Sequence, residues 1–242
     1  MKQKLYFFPY NICRYNFPLS LKKQKYSSKI KSMKVLLLAL SGFELLEFSA
    51  FADVLGWAKL EGGIDIEFET AGFSREVRST FDVPITVGRV LWRRGAGVCS
   101  PVSVCAVDYD ALAIPGGFEE YGYYDQAYSS DTAGLIRAFH KAGKPIASIC
   151  VGALALGNSG ILEGRKATTY ALSGGHRQKQ LADFGAEVVA DEPIVVDGNL
   201  ITSCGPSTAA GVALRLLEML TDRESAQRVM TLMGFDSTTT GI

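Results

Sequence analysis

A short stretch around Cys150 constrains the fold more than any other part of the sequence. Pro145 cannot continue a helix, and the apolar run after it is typical of a buried parallel strand. Cys150, one further residue and Gly152 then lead into an alanine- and leucine-rich run that is typical of a helix. A nucleophilic residue between a strand and a helix, with glycine two residues later, is the pattern of a nucleophile elbow. An inert cysteine buried at a strand end fits the same residues.

The rest of the chain, from Met33 on, alternates strand and helix patterns. Such alternation predicts an α/β fold with a mostly parallel sheet and helices on both faces. Asp131 is the expected N-cap of one helix and Gly143 its end, whereas residues 88–107 are assigned to a loop. The predicted strands are 33–40, 64–70, 82–87 (an edge strand, because of its proline), 110–114, 145–149, 167–170, 187–189, 194–196 and 200–203. The predicted helices are 44–60, 131–142, 152–156, 174–184, 207–220 and 222–233.

Three turns are expected to meet at the carboxyl ends of these strands, where open α/β sheets bind their ligands. Glu47 lies about one turn into the first helix and can point back over the strand ends. Gly116 and Gly117 let backbone N–H groups approach a ligand, and the Val151 N–H follows the nucleophile as an elbow's oxyanion donor does. A Cys150 thiolate, a carboxylate and two amides suffice for addition to a carbonyl, with the carboxylate moving the proton.

The cysteine and histidine content argues against a metal site. The five cysteines are widely spaced without a Cys-x-x-Cys pair, and there are two histidines. This pattern predicts neither structural zinc nor a disulfide framework, and it favours a reducing, cytoplasmic compartment. The formal net charge of zero suggests neither a nucleic-acid nor a membrane partner, and no segment approaches the ~18 apolar residues of a membrane span. We expect no cofactor and no metal.

Residues 1–32 differ from the rest of the chain. They contain eight lysines and arginines and no acidic residue, which leaves 17 basic and 25 acidic residues in the remainder. The segment is too broken for a secretory signal and holds a single arginine, Arg14, where transit peptides have several. It is either a disordered or incidental extension before Met33 or an organelle-targeting segment. Residues 33–242 are expected to form one domain.

An ordered set of short motifs resembles the ThiJ/PfpI family, within the class I glutamine amidotransferase-like superfamily. The motifs are residues 33–38, 42–47, 113–117, 147–152, 167–170 and 201–208. The resemblance implies a flavodoxin-like three-layer α/β/α sandwich that is usually a homodimer. It also implies that Cys150 is the reactive thiol, that Glu47 hydrogen-bonds to it, and that Gly117 and Val151 donate to an oxyanion.

Two departures from the family pattern affect the functional prediction. Many members have a histidine where this chain has Val151 or Tyr170, and the absence of a Cys–His pair weakens a peptidase interpretation. The remaining candidate is His176, which either swings into the site or lies at the surface. Cys204 occupies a loop that often carries a basic residue in related proteins, and either packs or serves as a second redox thiol. Tyr121, Tyr123 and Tyr124 either wall the pocket or form an exposed loop.

Three classes of function remain open. The first is a cofactor-independent thiolate enzyme of glyoxalase or deglycase type, acting on small carbonyl electrophiles such as α-oxoaldehydes, with amide hydrolysis (as in a peptidase) or isocyanide hydration as relatives. The second is a redox-sensing or chaperone-like stress protein in which Cys150 is oxidised. The third is a binding module with an inert elbow. For the first two, the sequence predicts that the pKa of Cys150 lies below the ~8.5 of a free thiol.

Overall fold

The structure is a computed structural model that describes residues 32–91 and 106–236. The predictions made for residues 1–31 and for most of the 88–107 loop, including Cys13, Cys99 and Cys105, lie outside these residues. Eleven strands are found in the described part: β1 (Met33–Leu38), β2 (Ile66–Gly72), β3 (Glu76–Arg78), β4 (Pro84–Thr86), β5 (Arg89–Val90), β6 (Ala111–Ile114), β7 (Ile146–Ser148), β8 (Lys166–Ala167), β9 (Glu187–Val188), β10 (Ile194–Asp197) and β11 (Leu200–Ser203).

Seven α-helices have both ends within the same residues: α1 (Leu45–Leu60), α2 (Tyr123–Ala127), α3 (Ser130–Lys141), α4 (Gly152–Asn158), α5 (His176–Asp183), α6 (Ala209–Leu220) and α7 (Arg223–Leu232). Residues 106–108 are helical as well. Short 3₁₀ turns cover Thr80–Asp82, Glu119–Tyr121, Ser173–Gly175 and Pro206–Thr208. The helical turns between residues 119 and 127 had no sequence prediction, because each is too short to show a helical repeat.

The main sheet has seven strands in the order β10-β11-β7-β6-β1-β2-β5. All neighbouring pairs are parallel except the β10–β11 hairpin, whose Asp197–Leu200 pair encloses a two-residue turn. The central order β2-β1-β6-β7-β11 is the 2-1-3-4-5 order of flavodoxin-like folds, with its reversal between β1 and β6. The predicted α/β class and mostly parallel sheet are therefore confirmed.

Alternating side chains of β1 define the two faces of this sheet. Val35 and Leu37 belong to a core packed against α1, α6 and α7. Leu36 and Leu38 belong to a second core packed against α2, α3, α4 and α5. Each strand residue thus faces one of two helical layers, as the period of two in a strand requires. The result is the expected three-layer sandwich.

Some local predictions were wrong in detail. Helix α3 is capped by Ser129, whose hydroxyl accepts the Thr132 N–H at 3.2 Å, so Asp131 is inside the first turn instead of being the N-cap. Its end at Gly143 is confirmed, since this residue has a φ of +69° just beyond the cap. The 82–87 segment contributes β4, which pairs with β3 in a separate two-stranded antiparallel sheet, so its predicted position as an edge strand is confirmed.

Candidate active site

The turn from β7 into α4 places Cys150 in a conformation that is rare for residues other than glycine. Its φ is +55°, in the left-handed region, where a side chain meets steric opposition. The Cys150 N–H donates to the Ser203 carbonyl at 3.0 Å, and the Thr169 hydroxyl donates to the Cys150 carbonyl at 2.8 Å. These contacts, from segments distant in sequence, hold the strained turn that the elbow pattern predicted.

Two glycines make room for this turn. A Cβ on Gly152 would lie 2.8 Å from the Ile114 carbonyl oxygen, and a Cβ on Gly116 would lie 2.9 Å from the Cβ of Cys150. Both distances are shorter than Cβ contacts found in real proteins, so the strand ends approach this closely only without a side chain. The turns after β6 and β7 are therefore brought together as predicted.

Glu47 joins these turns from the first helix. It is fully buried, and its Oε2 accepts the Gly116 N–H at 2.6 Å. Its Oε1 is buried without a hydrogen-bond partner among the described residues, and the Cys150 thiol is close enough to influence the carboxyl group. Burial raises the pKa of Glu47 from 4.5 to about 8, against the opposing effect of the Gly116 N–H. Glu47 therefore holds its proton at neutral pH.

The pKa of the Cys150 thiol is shifted in the direction opposite to the one that the sequence predicts. Burial raises the pKa of Cys150 well above its ordinary value, and the neighbouring Glu47 carboxylate raises it further. The Val151 N–H lowers the pKa, but one amide at the start of a seven-residue helix does not offset these two effects. Cys150 and Glu47 are thus a coupled pair, whose protons have to be considered together.

A cavity of about 410 Å³ opens over this pair. It is lined by six of the residues that the sequence singled out: Glu47, Gly117, Cys150, Val151, Tyr170 and His176. Gly116 is not among the lining residues, but its N–H donates a hydrogen bond to Glu47, which is. His176 is the exposed first residue of α5, at the rim of the cavity. The structure therefore brings the predicted residues into one place.

The wall opposite includes residues whose part in the cavity the sequence left open or missed. The Arg177 guanidinium lies 4.7 Å from the centre of the Tyr124 ring and forms a 3.0 Å ion pair with Glu119. Of the other two tyrosines considered, Tyr123 is buried with its hydroxyl donating to the Pro115 carbonyl at 2.7 Å, and Tyr121 is exposed. Tyr123 and Tyr124 are adjacent in sequence, and the orientation of α2 determines that Tyr124 lines the cavity while Tyr123 is buried in the core.

Cys204 lies beside the elbow, directly after the end of the neighbouring strand β11. It directly follows Ser203, the residue whose carbonyl accepts the Cys150 N–H, and its own N–H donates to the Pro193 carbonyl at 3.0 Å. Its thiol is free and half-buried. Within residues 32–91 and 106–236, no group of three or more His, Cys, Asp or Glu side chains is placed to hold a metal ion. None of the helices in these two ranges has both the length and the hydrophobicity of a membrane span.

Comparison with known proteins agrees with this geometry. The chain is 31% identical over 198 residues to the protein dj-1beta of Drosophila melanogaster, with 82% of this chain and 95% of the relative covered. It is 32% identical over 179 residues to a protein named deglycase TK1284 from Thermococcus kodakarensis, with 72% of this chain and 91% of that protein covered.

Solved structures show the same similarity. The crystal structure of Drosophila melanogaster DJ-1beta superposes with a TM-score of 0.70 at 30% identity, covering 85% of this chain and 99% of that one. Schizosaccharomyces pombe DJ-1 gives a TM-score of 0.70 at 27% identity, covering 84% of this chain and all of the other. The sequence model of the DJ-1/PfpI family matches residues 33–219, which include most of the three-layer sandwich and all the residues that line the cavity. This chain belongs to the DJ-1/PfpI family.

Proposed function

We propose that this protein is a cofactor-independent cysteine enzyme that converts small α-oxoaldehydes to hydroxy acids. The observation that carries the proposal is the buried Glu47–Cys150 pair at the floor of a cavity, beside the amides of Gly117 and Val151. The relative named a deglycase supports a carbonyl-directed reaction of this kind.

The first step is addition of sulfur to the aldehyde carbon. In the reactive form, the pair has lost one of its two protons, so that Glu47 is a carboxylate beside the Cys150 thiol. The carboxylate takes the thiol proton as the C–S bond forms, and the aldehyde oxygen gains the electron pair of its π bond. The N–H groups of Gly117 and Val151 stabilise that oxygen, which then takes the proton from Glu47 to give a hemithioacetal.

The second step is an internal proton transfer. The regenerated Glu47 carboxylate removes the proton from the former aldehyde carbon, which leaves an enediolate, and returns that proton to the adjacent carbon. The hydroxyl proton of the hemithioacetal moves to the oxygen on the adjacent carbon. This converts the hemithioacetal to a thioester of the 2-hydroxy acid. Water then cleaves the thioester, releases the acid and restores the Cys150 thiol. No electron acceptor is needed, because one carbon is oxidised while its neighbour is reduced.

Turnover of methylglyoxal to lactate tests this function. We expect Cys150→Ala to abolish lactate formation, and Glu47→Gln to reduce kcat ~10²- to 10⁴-fold, which is the range for loss of a general acid–base group. The matched control is Cys204→Ala, which removes a half-buried thiol that does not line the cavity and should leave kcat within twofold. Lactate formation that survives Cys150→Ala would refute the proposal.

A redox role is the second candidate, and the unpartnered Oε1 of Glu47 favours it. A protonated carboxyl at this position can donate a hydrogen bond to an oxygen of a Cys150 sulfinate. Two equivalents of hydrogen peroxide would convert the thiol to the sulfinate with release of two waters. Mass spectrometry of the Cys150 peptide tests this role. Two added oxygens that accumulate on Cys150 of a protein without methylglyoxal turnover favour the sensor over the enzyme.

A further inference from the structure

Tyr124 has a hydroxyl group that the enzyme mechanism above does not use. Tyr124 lines the same cavity as Cys150, and its hydroxyl oxygen is buried without a hydrogen-bond partner among the described residues. A buried hydroxyl without a partner loses its hydrogen bonds to water and gains nothing in return, so such groups are rare in native proteins. A bound molecule in the cavity can supply the missing partner.

The Tyr124 ring is held on several sides. The Arg177 guanidinium covers one face at 4.7 Å, and the ring centres of Tyr123 and Tyr128 lie at 5.6 and 5.1 Å. A hydroxyl on a ring with these contacts has a restricted position. Burial also raises the pKa of Tyr124 above its ordinary value, so the hydroxyl keeps its proton and stays a donor.

The charged residues around the cavity limit the kind of acceptor that can bind to the Tyr124 hydroxyl. Arg177 is already paired with the Glu119 carboxylate at 3.0 Å. Glu120 and Glu44 also line the cavity, and the two Glu44 oxygens accept hydrogen bonds from the Leu46 N–H and the Thr80 hydroxyl. The carboxylates of Glu44, Glu119 and Glu120 outnumber the single arginine in the cavity lining, so the cavity does not favour binding of an anionic group. The acceptor that fits Tyr124 is therefore an uncharged oxygen.

We infer that Tyr124 binds substrate by donating a hydrogen bond to an uncharged oxygen on the carbon next to the one that Cys150 attacks. The inference rests on the proposed function, because that reaction sets Cys150 on the aldehyde carbon. It adds a residue that would set selectivity: Tyr124 would favour uncharged two-oxygen electrophiles, such as α-oxoaldehydes, over simple aldehydes and α-oxo acids. In the proposed reaction, the same hydroxyl would lie at the oxygen that becomes anionic in the enediolate.

A protection experiment tests this binding without requiring turnover. Cys150 is alkylated with iodoacetamide at fixed pH in the presence of methylglyoxal, propionaldehyde or glyoxylate, and the modified Cys150 peptide is quantified by mass spectrometry. The decrease in Cys150 alkylation caused by each carbonyl compound is divided by the equilibrium constant for hemithioacetal formation between that compound and glutathione. This division corrects for intrinsic electrophilicity. The protein with native sequence should favour methylglyoxal over propionaldehyde at least tenfold. Tyr124→Phe should lower that ratio about tenfold and leave propionaldehyde protection unchanged.

Tyr121→Phe is the matched control, because Tyr121 lies on the preceding 3₁₀ turn, is exposed and does not line the cavity. It should leave the ratio unchanged. An unaltered ratio in Tyr124→Phe overturns the inference, as does stronger corrected protection by glyoxylate than by methylglyoxal. If the native protein shows the preference and loses it in Tyr124→Phe but makes no lactate, the binding role stands and the proposed enzyme function fails. If lactate forms and Tyr124→Phe changes neither kcat/KM nor the ratio, the enzyme function stands and the binding role fails.

Discussion

Glu47→Gln should make the folded protein more stable, by an amount that depends on pH. In the folded protein the carboxyl group is fully buried and keeps its proton up to a pKa of about 8, whereas its ordinary value is 4.5. Between these values the unfolded chain loses the proton and the folded protein does not. Each pH unit in that interval therefore lowers the free energy of unfolding by ~1.4 kcal/mol.

The size of the effect follows from this interval. At pH 7 the burial of Glu47 should lower the free energy of unfolding by about 3 kcal/mol, at pH 5 by about 1 kcal/mol, and above pH 8 by about 5 kcal/mol. Glutamine has nearly the same shape, does not ionise, and keeps an oxygen that accepts the Gly116 N–H. The variant should therefore gain most of these amounts, with a gain that grows as the pH rises from 5 to 8.

Equilibrium urea unfolding at pH 5, 6, 7 and 8 measures this gain. Glu192→Gln is the control, since it makes the same chemical change at an exposed residue and should stay within ~0.5 kcal/mol at every pH. A gain that is absent, or that is equal at pH 5 and pH 8, would refute the assignment of a buried, protonated Glu47. A gain together with lost turnover would identify Glu47 as a group kept at the expense of stability for its chemistry.

The remaining predictions concern the same pair and the turns around it. If the reactive form requires loss of one proton from the Glu47–Cys150 pair, kcat/KM for methylglyoxal should rise ~10-fold per pH unit below about 8 and level off above it; a flat profile from pH 6 to 9 would contradict this. Because the Glu47 carboxylate raises the pKa of Cys150, Glu47→Gln should move the pH curve of iodoacetamide alkylation at Cys150 to lower pH, and a shift to higher pH would mean that Glu47 instead favours the thiolate. A Cβ at Gly117 would collide with the Gly42 carbonyl oxygen and the Tyr123 ring, so Gly117→Ala should lower the free energy of unfolding by several kcal/mol, which calorimetry can measure. Gly56→Ala, at a helical position with open space around the added methyl group, should instead leave stability unchanged or raise it by up to ~1 kcal/mol.

Local sequence patterns were enough to predict most of the main-sheet strands, the longer helices and the position of the elbow, but not β3, β5 or α2. These features depend on residues that are neighbours in the sequence. Local geometry is indicated by the apolar run after Pro145, by the Cys150-x-Gly152 spacing and by the Gly116–Gly117 pair. The rule that parallel strands present their carboxyl ends at one edge then placed Glu47 with them, and the structure agrees. Local pattern and a topological rule were sufficient for this part of the site.

The protonation of the site and the residues that complete its wall depend on tertiary contacts. The pKa values of Glu47 and Cys150 depend on burial by elements far apart in the chain, and that burial reverses the shift in the Cys150 pKa that the sequence predicted. The positions of Tyr124 and Arg177 in the cavity depend on two short helices whose packing no sequence repeat indicates. Desolvation and side-chain orientation arise from contacts between segments distant in sequence, and for that reason no local pattern could specify them.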